Sequence, residues 1–109
     1  MTKPCSPNSP DFGSDAAERV RALIDLTHSL AKIIEDENLA LANIRPDGVA
    51  ALQPEKARLA AAYAQSIRSI AADRASVAKV EFSLLTQLRA ATEGFEARAA
   101  RQARLLATA

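Results

Sequence analysis

Cysteine and histidine each occur once in this 109-residue chain, and tryptophan does not occur. Each scarcity removes a class of function. Cys5 stands alone in a Pro- and Ser-rich tail, so no disulfide can form within the chain, which suits a reducing compartment. His28 is the single histidine, with Ile24, Asp25, Ala31 and Lys32 at helical spacing around it. A metal site or a Ser/His/Asp triad would rest on that residue alone, and its setting reads as a helix surface. The three glycines, Gly13, Gly48 and Gly94, share no local context, so no phosphate-cradling loop is present. Glu35, Asp36 and Glu37 are consecutive and point in different directions on a helix, so they do not converge on one ion. No apolar run of about 18 residues would make a membrane span, and no apolar signal-peptide core opens the chain. A net charge of +1 leaves no footprint for nucleic acid. The expectation is a cytoplasmic protein without catalytic residues, metal or cofactor.

What is abundant is alanine, 25 of 109 residues. Large apolar side chains are correspondingly sparse and aromatics are 4%. Thin helix-on-helix packing suits such a chain better than a thick core, so the predicted class is all-α. Residues 1–13 hold three of the five prolines and no periodicity and read as a disordered tail. Residues 14–109 read as a single helical-hairpin or bundle domain, a coiled-coil-like antiparallel hairpin with an extended or folded-back C-terminal amphipathic helix. Ser14 or Asp15 opens a first helix running to about Asn43, with Asp15 and Glu18 at capping-box spacing. Its seam, Val20, Leu23, Thr27, Leu30, Ile34, Glu37, Leu41 and Ile44, alternates steps of three and four, a heptad pattern. Glu37 is the discordant member, because a carboxylate at a seam needs a partner or water.

Arg45-Pro46-Asp47-Gly48 is a turn signal. Val49 to Leu52 could add one helical turn, and Gln53-Pro54-Glu55 is expected to restart the helix with proline at its first position. From Pro54 to Leu106 the period of 3.6 persists through Leu59, Tyr63, Ile67, Ile70, Val77, Leu84, Leu88, Ala91, Phe95 and Leu105. The short connection makes the two helices antiparallel neighbours. Across their seam Lys56 comes near Glu37, either as an ion pair or with Lys56 reaching solvent.

The two helices differ in length, about 30 residues against about 53. A hairpin uses up the first helix near Leu84 and leaves the stripe Leu85, Leu88, Ala91, Thr92, Phe95, Ala99, Leu105 and Leu106 without cover. Three resolutions are open. The chain breaks near Asp73 or Arg74 and folds back as a third helix; two copies pair their overhangs as a homodimer; or the overhang docks a helix of another protein. Gly94 lowers helix propensity there by roughly 1 kcal/mol. Arg98, Arg101 and Arg104 gather at the helix end, where they also oppose the macrodipole.

The run Glu37-Asn38-Leu39-Ala40-Leu41, then Leu52, then Lys56-Ala57-Arg58-Leu59, resembles the FlgN family of flagellar type III export chaperones. The matching pattern is Glu37 followed by Leu41 on a long helix, a short connection carrying Leu, and Lys56 with Leu59 opening a second helix. It covers about residues 20 to 70; the C-terminal third is similar in character only, as a basic amphipathic helix. The resemblance implies a chaperone that binds hook-associated proteins of the hook–filament junction and delivers them to the export apparatus. It also implies that the C-terminal helix contacts the client. The candidate client-binding residues are then Leu84, Leu85, Leu88, Phe95, Leu105 and Leu106, with Arg98, Arg101 and Arg104 on the rim. On that reading Leu88→Asp with Phe95→Asp removes client binding and leaves the hairpin folded. The alternative is a homodimeric structural coiled coil or adaptor with no export role.

Overall fold

The computed structural model describes residues 11–108, with side chains from Asp15 onward. Among the described residues four helices follow one another: α1 (Asp11–Ala42), α2 (Pro46–Ala71), α3 (Arg74–Val77) and α4 (Phe82–Ala107). α1 starts ahead of the expected Ser14 or Asp15, so residues 11–13 of the expected tail belong to it; residues 1–10 lie outside the described residues. α2 returns antiparallel to α1. α4 then runs back alongside α1 in parallel, so the folded-back arrangement is the one adopted. Among the described residues the Cα atoms of α2 and α4 stay more than 8 Å apart along both helices. The two meet through side chains, with the rings of Tyr63 and Phe95 stacked at 6.2 Å between centroids. α1 is therefore the central helix of a rod measuring 58 × 26 × 19 Å.

That central position explains the burial of α1. The heptad seam is buried from Val20 through Glu37, as the spacing predicts. A second stripe, Ile24, Ala31 and Asn38, is buried as well, one heptad apart at each step and turned towards α4. A helix with two partners needs an apolar arc wider than a two-position seam. The packing falls into two clusters. At the end where α1 begins, Ala16, Val20, Ile24, Val80 and Ala91 are buried, with Leu84, Leu85 and Leu88 against them. Further along, Leu30, Ile33 and Leu59 are buried under Leu26, Leu52, Tyr63 and Phe95. Full burial of a Val, Leu or Ile side chain stabilises by roughly 1.5–3 kcal/mol. The seam threonine satisfies itself, the Thr27 hydroxyl donating to the Leu23 carbonyl at 2.7 Å.

The first connection departs from the sequence expectation. Pro46, not Pro54, is at the first position of the second helix, and Pro54 lies inside α2. The N–H that Pro54 lacks would have bonded the carbonyl of Ala50, and both residues are exposed, so the orphaned acceptor lies on the solvent side of α2 rather than in the core. The link between α1 and α2 shrinks to residues 43–45. There Arg45 N–H bonds the Ala40 carbonyl at 2.8 Å and Ile44 N–H bonds the Leu41 carbonyl at 3.1 Å, the paired bonds of a Schellman ending. Such an ending needs a left-handed residue at its penultimate position, commonly glycine. Here it is Ile44, with φ of 56° and 87% exposed. Its expected place as the last seam residue of α1 is thus corrected: Ile44 has left the helix.

Of the readings open for Pro54 to Leu106, the broken one is adopted. α2 stops at Ala71, the short α3 follows, and Glu81 at φ −52°, ψ 135° turns the chain into α4. Buried Val80 anchors that corner, and Arg19 on α1 reaches Asp73 at 3.2 Å. The break falls where the charged pair Asp73-Arg74 interrupts the apolar stripe.

Candidate functional site

The family-motif residues meet at the end of the rod that holds the α1–α2 turn. The carboxylate of Glu37 is 2% exposed and faces both neighbouring helices. Lys56 Nζ of α2 donates to Oε1 at 3.0 Å, Gln53 Nε2 of α2 to Oε2 at 2.6 Å, and Gln102 Nε2 of α4 to Oε1 at 2.9 Å. Burial pushes the Glu37 pKa up, but the hydrogen bonds from Gln102, Lys56 and Gln53 outweigh it and hold the carboxyl below its ordinary value. Leu59, one turn beyond Lys56, is buried against Leu30 and Ile33. Leu41 is half-buried and lines two adjoining cavities. One, of about 190 Å³, contains Glu37, Gln53, Lys56, Gln102 and Leu106. The other, of about 520 Å³, is lined by Leu41, Ala42, Ile44, Arg45, Pro46, Leu105 and Thr108.

Next to this knot, Asn38 is buried and its Nδ2 donates to the Arg98 carbonyl of α4 at 3.1 Å. Its Oδ1 has no hydrogen-bond partner among the described residues. Arg98 folds along α4, donating from Nη1 to the Gly94 carbonyl at 3.0 Å and from Nε to Glu35 of α1 at 2.7 Å. Gly94 leaves room for that guanidinium: a Cβ there would stand 3.2 Å from Arg98 Nη1.

The candidate client-binding residues divide into two groups. Leu84, Leu85 and Leu88 pack on the α1 cluster of Val20 and Ile24, and Phe95 packs over Leu30, Ile33 and Leu59. Of the three resolutions open for the overhang, fold-back is the one adopted over this segment, and α1 covers the stripe from within the chain. Arg98 is engaged with Glu35. Leu105 is half-buried, whereas Arg101, Arg104 and Leu106 are exposed. Sequence reasoning missed Gln53, Gln102, Asn38 and the strain at Ile44. The carboxylate at a seam position signalled that donors were needed. Nothing in the linear pattern singled out two glutamines to supply them. Asn38 was signalled by its heptad spacing from Ile24 and Ala31, a second stripe that a two-helix reading had no use for.

The chain is similar to a flagellar protein. It is 34% identical over 95 residues to the flagellar basal-body protein FlbY of Caulobacter vibrioides. The aligned part is 87% of this chain and 64% of that protein, so the chain spans less than two thirds of its relative's length. No family model matches the chain, the FlgN family included, and no solved structure matches it. Among the described residues no helix is long and apolar enough to cross a membrane. Also among them, no group of three His, Cys, Asp or Glu residues is placed to hold a metal ion.

Proposed function

We propose that this chain serves flagellar biogenesis as a non-catalytic binding protein, an export chaperone of the FlgN kind. The observation that carries the flagellar part is the 34% identity with FlbY over 95 residues. The chaperone part draws on the Glu37–Lys56 contact at 3.0 Å across a helical hairpin, which matches the resemblance noted in the sequence. The proposed clients are hook-associated proteins of the hook–filament junction, held in the cytoplasm and passed to the export apparatus. With Leu84, Leu85, Leu88 and Phe95 turned towards α1 and α2, the proposed client contact moves to the distal part of α4, at Arg101, Leu105 and Leu106.

A second reading is a structural subunit or adaptor, as a homodimer without an export role. The relative's designation as a basal-body protein favours it. Size-exclusion chromatography with light scattering, on the chain alone and after co-expression with hook-associated proteins, separates the two. A monomer that forms a one-to-one complex with a hook-associated protein is the expected result. A tight dimer that ignores those proteins would overturn the chaperone reading in favour of the subunit.

A further inference from the structure

Ile44 carries two unfavourable features at once. A β-branched side chain in the left-handed region strains the backbone, and 87% exposure leaves that side chain in water. Glycine or asparagine would remove both. The residue stands on the lip of the 520 Å³ groove, whose walls are Leu41, Ala42, Pro46 and Leu105. Leu106, also large and 58% exposed, is at the same end. The rim is cationic. Arg45 lines the groove, and Arg101 and Arg104 lie four residues before Leu105 and Thr108, on the same side of α4. None of the three arginines makes an ion pair among the described residues. Asp47, on the first turn of α2, is the nearest acid in sequence. Opposing the dipoles of the α1 and α4 C-termini would account for the arginines; it does not account for a strained and exposed isoleucine beside them.

We propose that this groove docks an acidic amphipathic helix, with Ile44 as an apolar anchor and Arg45, Arg101 and Arg104 pairing with carboxylates along the incoming helix. Two-fold pairing of this end with itself would set the three arginines against their own copies, so a second copy is the poorer occupant. The inference rests on the proposed reading of the chain as a non-catalytic binding protein and names where and what it binds.

The test uses two labelled 20-residue peptides with the same Leu stripe at helical spacing, one flanked by Glu and the other by Lys. Fluorescence anisotropy with the full chain is expected to show the Glu peptide binding at least about 10-fold more tightly, an electrostatic preference that shrinks with salt. Ile44→Gly is expected to weaken the Glu peptide by a similar factor while raising the thermal midpoint by a few degrees, since it relieves the backbone. Arg45→Glu should weaken binding, and Arg68→Glu at the far end of α2 should leave it unchanged. Equal binding of the two peptides, binding of neither, or an Ile44→Gly variant with unchanged affinity would overturn the proposal. So would a dimer that Ile44→Gly dissociates, since a second copy would then fill the groove. These peptides carry no flagellar sequence, so their failure leaves the hook-associated co-expression result standing as a separate answer.

Discussion

The two ends of the rod hold α4 to α1 by different physics. Near Ala16, Val20 and Ile24 the contact is apolar, made by Val80, Leu84, Leu85, Leu88 and Ala91. Near the α1–α2 turn it is polar: Glu35 with Arg98, Asn38 with the Arg98 carbonyl, Glu37 with Gln102. Apolar burial is non-directional and stabilises in proportion to area. A polar contact gives little net stability when made, and costs more when one partner is lost. The first end supplies cohesion. The second fixes register, since α4 shifted by one residue would withdraw Gln102 from the Glu37 carboxylate and part the buried Asn38 N–H from the Arg98 carbonyl.

The sharpest way to break the comparison is to strip α4 of its apolar contacts, one in each cluster. Leu88→Asp with Phe95→Asp should remove about 4–8 kcal/mol, which rivals the whole stability of a small domain, about 5–15 kcal/mol. Circular dichroism should show the helical signal collapsing. A double variant that stays folded would mean these side chains do not hold α4 down, and would restore them as a client surface.

A smaller loss, about 1–2 kcal/mol, is expected for Lys56→Met, which strands the buried Glu37 carboxylate with amide donors alone. The urea midpoint should recover in part when Glu37→Gln is added. If the two changes simply add, the pair is not coupled.

Acid sharpens the contrast between ends without mutation. The Glu37 pKa is lowered on folding, so its contribution is full above the ordinary carboxylate range and is lost as pH falls through the lower folded value. Hydrogen exchange below about pH 4 should therefore open residues 98–107 before residues 84–91. Simultaneous opening would count against the polar end being the weaker one. Gln102→Ala should reproduce that local loosening at neutral pH, with about 1 kcal/mol lost overall. At the small extreme, Arg58→Ala removes a solvent-exposed pair with Glu55 and should leave the thermal midpoint unchanged, because water screens such contacts.

Much of this was legible in the chain. The all-α class followed from the period of 3.6, and the seam from Val20 to Glu37 is buried as the heptad indicates. Asp73-Arg74 marked one possible break. Pro46 and Pro54 were ranked the wrong way round, because Asp47-Gly48 after Pro46 reads as a turn and Glu55-Lys56 after Pro54 reads as helix. Which one starts the helix depends on whether the carbonyl four residues before Pro54 can be left to water, and exposure is a tertiary fact. Ile44 fitted the heptad in sequence. A hydrophobic pattern cannot register that the Schellman bonds of Arg45 and Ile44 close the helix first.

What the sequence determined by itself was therefore local: helices, their seams, and a carboxylate at position 37 that had to find donors. The tertiary structure decided which surfaces those seams would cover. A stripe of Leu84, Leu85, Leu88 and Phe95 has the same spacing whether it meets another protein or its own first helix. The choice turns on whether the chain can bend at residues 72–81 and bring α4 back, and there α1 offers it a second apolar face at the low entropic cost of a short intramolecular loop.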